Sequence, residues 1–227
     1  MGAILPVSHR LVAVSGDLIG SRNLKNRKDL ASKIEHAMAA ASQPYHSRWL
    51  APPMLTRGLD EFSAALDSLL PLFDFSVALN EALWPLRFRI GVGIGVVDVG
   101  LETGLASRLD GPAFHLAAEA LVAARATRRP LVIRDPSADP VLLAALEALA
   151  QAHGALVEGW TPAAARQVPL MRNVGHQARV AEMLGVTQQA VSRTLTRARY
   201  RDLRDIEGAA NAIIAGRLIP DEGVLGE

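Results

Sequence analysis

Cysteine is absent from the 227 residues. That excludes disulfides, thiolate metal sites and a thiol nucleophile. No apolar run in the chain approaches the roughly 18 residues that span a bilayer, so no membrane segment is expected. The N-terminus lacks a basic stretch followed by an apolar one and a cleavage site, so no secretory signal is read and a cytoplasmic protein is expected. A Walker A loop is missing, and GVGIG (91–95) is GxGxG inside a strand pattern rather than GxGxxG opening a helix. The six histidines are scattered without metal spacing, and no Ser/His/Asp arrangement stands out. What remains is a chain that is 50% apolar, ample for a buried core, with a net charge of only +1.

That near-neutral balance hides a local excess. Residues 160–204 carry eight Arg against Glu182 and Asp202, a net of +6, whereas residues 1–159 are at −1 and residues 205–227 at −4. Inside the basic stretch, RVAEMLGVTQQAVSRTLTRAR (179–199) has helix-turn-helix spacing. With Gln177 as its first position, Ala181 falls where two helices cross, and Gly185 falls in the turn, where a left-handed backbone is easiest without a Cβ. Val180, Leu184, Val186, Val191 and Leu195 lie at helical spacing and can close a small core. Thr187 is a good N-cap for the second helix. That helix then turns Gln188, Gln189, Ser192, Arg193, Thr196 and Arg197 outward, with Arg199 beyond them. Gln suits adenine and Arg suits guanine in the major groove. A solvated basic helical bundle, or a protein-contact module, is the plainer alternative.

Upstream, hydrophobic patterning sets out a mixed domain. LVAVSGD (11–17) is an apolar strand ending at a turn, and residues 24–41 form an amphipathic helix. Residues 48–57 and 60–66 read as a hairpin, with Pro52 and Pro53 arguing for an edge or a bulge. A helix follows over 71–84, then the alternating strand LRFRIGVGIGVVDV, a helix over 112–127, a strand over 131–135 and a helix over 140–152 ending near Gly154. This order is that of an α+β, ferredoxin-like βαββαβ sandwich. Residues 1–155 are expected to form it, and residues 156–227 a small all-α helix-turn-helix domain. Pro169 should kink or end that module's first helix, and residues 203–216 form one more amphipathic helix, a candidate dimer contact.

Two carboxylates in the first domain invite chemistry. Asp17 ends the first strand, and Asp60 lies in the hairpin loop beside Glu61. In a ferredoxin-like sheet these strand ends approach each other, and paired carboxylates are what Mg²⁺ or Mn²⁺ needs to clamp a triphosphate. The Gly20–Ser21 turn leads into a helix whose N-terminus offers amides to phosphate, which makes Gly20 and Ser21 nucleotide candidates. From spacing alone, however, a cap role for Asp17 and a turn role for Asp60 come first. Gly91, Gly93 and Gly95 share one strand face, so either a packed helix or a nucleotide base must approach it closely.

The segments VSGDLIGSRNLKNRK, RGLDEF, RFRIGVGIGVVD and LDGPAFHLAAEAL stand in the order and spacing of the SatD family, bacterial proteins of poorly defined role. The chain resembles that family from about residue 11 to 205. The resemblance implies a first domain distantly similar to class III nucleotide cyclases and GGDEF-type diguanylate cyclases, with Asp17 and Asp60 as metal candidates. It also implies that the segment from Asp110 to Leu121 contacts nucleotide in a dimer, which makes Asp110 a further candidate. The family usually reads Gly-Asp-Glu-Phe; here Leu59 stands between Gly58 and Asp60 and lengthens the hairpin. The C-terminal module resembles the last DNA-binding region of sigma factors.

Two functions follow. The first is a DNA-binding transcriptional regulator whose first domain senses a nucleotide or pairs two copies. Symmetric operators need paired recognition helices, so a homodimer on double-stranded DNA is expected. The alternative is a metal-dependent nucleotidyl cyclase or transferase coupled to DNA contact. The residues leave open whether the chain is an enzyme.

Overall fold

The computed structural model describes residues 10–20, 27–58 and 60–217. The chain is a mixed α+β protein. Its elements are β1 (Arg10–Leu18), α1 (Arg27–Ser42), β2 (Trp49–Arg57), β3 (Glu61–Leu66), α2 (Leu72–Leu83), β4 (Phe88–Val96), α3 (Pro112–Thr127) and β5 (Leu131–Arg134). There follow α4 (Pro140–Glu158), α5 (Pro162–Val174), α6 (Gln177–Leu184), α7 (Gln188–Arg197) and α8 (Tyr200–Arg217). The strands form one five-stranded sheet in the order β2-β3-β1-β4-β5. The first four are antiparallel to their neighbours, and β5 adds parallel to β4 at the edge. β2 is the opposite edge strand, and its register slips around Pro52 and Pro53, where the missing amide hydrogens cannot join a ladder.

Side-chain size alternates across the sheet and decides what covers each face. On one face Val12 and Val14 of β1, Phe62 and Leu66 of β3, and Phe88, Ile90 and Val92 of β4 meet Ile34 and Met38 of α1 and Phe73 and Phe75 of α2. Edge-to-face contacts tie this core, with Phe62 and Phe88 ring centroids 5.0 Å apart and Trp49 and Phe75 4.9 Å apart. Truncating a ring as central as Phe62 to Ala typically costs about 3–5 kcal/mol. The other face carries Ala13, Ala65 and the glycines of β4, and α3 lies on it with Ala113, Ala117, Ala120 and Ala124 buried. A Cβ on Gly91 would collide with the backbone of Leu121, and one on Gly93 with the carbonyl of Ala113. The glycine stripe therefore exists to seat a helix, and α3 stands where the alternative reading put a nucleotide base.

The C-terminal helices build a second, smaller core from Trp160, Val168, Val180, Ala181, Val191, Leu195, Ala198 and Leu203. Three expectations need correction here. α4 passes through Gly154 to Glu158, because one glycine costs a helix only about 1 kcal/mol against Ala and the flanking Ala150 and Val157 are buried. Pro169 does not end its helix: α5 runs on to Val174, with Val168 beside the proline fully buried. Val186 stays 42% exposed in the turn rather than joining the small core.

The last helix also differs from expectation. The apolar side of α8 is directed into its own chain: Ala210 and Ile214 complete the first core, with Ile206 and Ile213 packed against it. That stripe, a candidate dimer contact in the sequence, is covered within one chain. Among the described residues one helix, α4, is long and apolar enough to cross a membrane by length and composition, with a mean hydropathy of 1.4. Its Leu146 and Ala150 lie in the first core, and its buried Glu147 and His153 bond Arg129 and Glu207.

Candidate functional site

The α6–α7 pair starts from its turn. Gly185 closes α6 at φ +64°, its amide returning to the last turn of the helix. The Thr187 side chain then accepts a hydrogen bond from the amide of Ala190 and starts α7. Val191 and Leu195 are buried, so the opposite side of α7 must face out. Gln188, Gln189, Arg193, Thr196 and Arg197 are exposed along it, Thr187 and Arg199 are exposed at its ends, and Ser192 is half-buried. Gln189, Arg193 and Arg197 follow one another at i, i+4 and i+8, one line along the helix. No ion pair engages Arg193 or Arg197 among the described residues, whereas Arg199 pairs with Asp202.

The second set of candidates lies at one end of the sheet. Glu61 on β3, Asp17 on β1 and Arg89 on β4 are register partners and point to the α3 face. Arg125, in the last turn of α3, reaches over this row and donates to Asp17 at 2.9 Å and to Glu61 at 2.7 Å. Its hydrogen bonds to Asp17 and Glu61 raise the Arg125 pKa further, against partial burial. The structure thus joins Asp17 to Glu61 rather than to the Asp60 side chain; the Asp60 carbonyl instead accepts the amide of Leu18 at 2.7 Å. A divalent ion bridging Asp17 and Glu61 would have to displace this guanidinium. Gly20 sits just past Asp17 with φ +79°. Ser21 and Leu59 fall outside the described residues. Asp110 precedes α3 and pairs with His115 at 3.3 Å. Arg125 is at the far end of that helix, roughly 20 Å away along its axis. Asp110 and Asp17 therefore do not share a site within one chain.

A third cluster was not foreseen in the sequence. Arg172 of α5 donates through Nε and Nη2 to Glu81 of α2, and through both terminal nitrogens to Glu207 of α8. Glu207 also takes Arg204 at 2.9 Å and sits 3.0 Å from Nε2 of His153 on α4. Burial opposes the charge on Glu207, but hydrogen bonds from His153 and Arg172 prevail and hold its carboxyl down at about 2. For Glu81 burial prevails over Arg172, and its pKa is raised. Ligand atoms of Glu81, His153 and Glu207 lie within 4.8 Å of one another, a spacing that could hold a metal. Here the guanidinium of Arg172 takes the central place between the two carboxylates. The readable signal was a charged residue at a core position of each helix. Phe73, Val77 and Glu81 recur at i, i+4 and i+8, and Leu203, Glu207 and Ala210 at i, i+4 and i+7.

These elements fit the sequence match. The chain belongs to the SatD family, whose profile matches residues 11–126, from β1 to the end of α3. No curated protein is similar enough to match it.

Proposed function

We propose that the chain is a DNA-binding transcriptional regulator. On this reading α6 and α7 are a helix-turn-helix, with α7 the recognition helix and residues 156–227 its module. The sheet with α1 to α4 is a ferredoxin-like, cyclase-related sandwich, with β5 appended, that senses a nucleotide or pairs two copies. One observation carries the reading: the polar face of α7 holds Arg193 and Arg197, exposed and without a carboxylate partner among the described residues, while its apolar face is buried. Guanidinium groups in that state keep their donors for phosphates and base edges. The expected species is a cytoplasmic homodimer on double-stranded DNA.

The test is binding of the full chain to genomic DNA fragments over a range of salt, with sequencing of what is captured. Specific capture whose affinity falls steeply with salt supports the regulator. No binding at low salt ends it.

The alternative, a metal-dependent nucleotidyl cyclase or transferase, rests on the convergence of Asp17 and Glu61 at one sheet end, where Mg²⁺ or Mn²⁺ with nucleotide would sit near Gly20. We prefer the regulator because Arg125 already bonds both carboxylates and Arg89 stands 4.0 Å from Asp17, so the pair is matched by two cations. Turnover of nucleoside triphosphates with Mn²⁺, lost in Asp17→Ala, would reverse that preference.

A further inference from the structure

Between α2, the turn from Trp84 to Arg87 and the C-terminal half of α4 lies a cavity of about 270 Å³. Phe73, Val77, Trp84 and Ala150 give it apolar walls. An apolar cavity of about 150 Å³ takes a benzene ring, so this one has room for one or two fused rings. Two polar side chains line it with hydrogen-bonding capacity to spare. Asn80 uses Oδ1 to accept the amide of Phe88 at 2.7 Å, and its Nδ2 has no partner among the described residues. His153, 6% exposed, uses Nε2 toward Glu207, and its Nδ1 has none. Of the charges on the lining, Arg87 and Glu158 bond each other at 2.7 Å and Glu81 is held by Arg172 at 2.7 Å, so no unpaired charge is offered to an occupant. Such a lining selects a neutral aromatic molecule with a polar edge.

The position matters as much as the shape. His153 is bonded to Glu207 of α8, and Glu81, also on the lining, is held by Arg172 of α5. Val157 and Glu158 form the end of α4, immediately before the Thr161 cap of α5. An occupant therefore touches the side chains that attach the C-terminal helices to the sheet.

We propose that this cavity is an effector site that takes a neutral heteroaromatic molecule of one or two rings, its polar edge on His153 and Asn80. Its regulatory consequence rests on the DNA-binding reading above; its occupancy does not. Benzimidazole and adenine are the probes, each titrated into the full chain. At about ten times Kd, either should raise the melting temperature by roughly 3 °C. It should also shift the indole N–H resonance of Trp84 while leaving that of Trp49 in place. Ala150→Leu and Val77→Phe fill the cavity and should each weaken binding by about tenfold or more while remaining folded. Saturating probe should change affinity for captured DNA by about fivefold or more.

Failure of both probes to bind overturns the site, as does binding that persists unchanged in the two folded variants. Unchanged DNA affinity with the cavity filled overturns the effector role. If the chain binds no DNA at all, the regulator falls, and the Trp84 and variant measurements still decide the cavity.

Discussion

Arg172 and Arg193 belong to the same arginine-rich stretch, and the fold uses them in opposite ways. Arg172 is sunk between helices with 15% of its side chain exposed, its donors consumed by Glu81 and Glu207. Arg193 stands exposed on α7, without an ion pair among the described residues. The same division runs through the whole stretch: Arg179, Arg199 and Arg204 are paired, whereas Arg166, Arg193, Arg197 and Arg201 are without an ion pair among the described residues. A local net charge thus overstates what an incoming phosphate backbone meets, because Arg172 and Arg204 are spent on buried carboxylates outside the stretch. Of the unpaired four, Arg193 and Arg197 share the exposed face of α7.

Breaking the buried half should have the largest effect. Arg172→Leu strands the buried Glu81 carboxylate, leaves Glu207 with only Arg204 and His153, and should cost about 3–5 kcal/mol, lowering the melting temperature by roughly 10 °C; a loss below about 1 kcal/mol would mean the network is not structural. Acid should sharpen the same point. Since the Glu207 carboxyl is pulled from 4.5 to about 2, its contribution is complete above pH 4.5 and disappears as pH falls towards 2. The stability gap between the parent and Glu207→Gln, followed by denaturant melts, should therefore close over that interval.

On the proposed reading, Arg193→Ala should weaken DNA binding by about 1–3 kcal/mol and relax sequence preference, while melting stays within about 0.5 kcal/mol. Equal loss on all sequences would make Arg193 a phosphate contact instead. The smallest change expected is Thr187→Ala, which removes the cap of α7 and should cost about 1 kcal/mol in thermal melts.

Much of the fold was legible because local patterns repeated. Strict alternation from Phe88 to Val96 fixed β4, and the left-handed turn at Gly185 followed from its place between two amphipathic stretches. The pairing at the sheet end was only half legible. Asp17 was singled out, but its companion is Glu61, set by β-strand register, and Arg125, set by where α3 ends. The extra length of α4 past Gly154 escaped notice because burial supplies more than one glycine removes. Glu81, His153, Arg172 and Glu207 escaped altogether, since the four come from four helices.

By itself the amino-acid order determined where the sheet strands lie, the Thr187 cap and the side of α7 that must stay wet, because each depends on neighbours within a few residues. Only the tertiary structure decided which arginines are free and which are buried, what fills the space above the β4 glycines, and that α8 folds back onto the first core. Those outcomes depend on contacts between residues far apart in the chain, where desolvation and close packing, not periodicity, choose the partner.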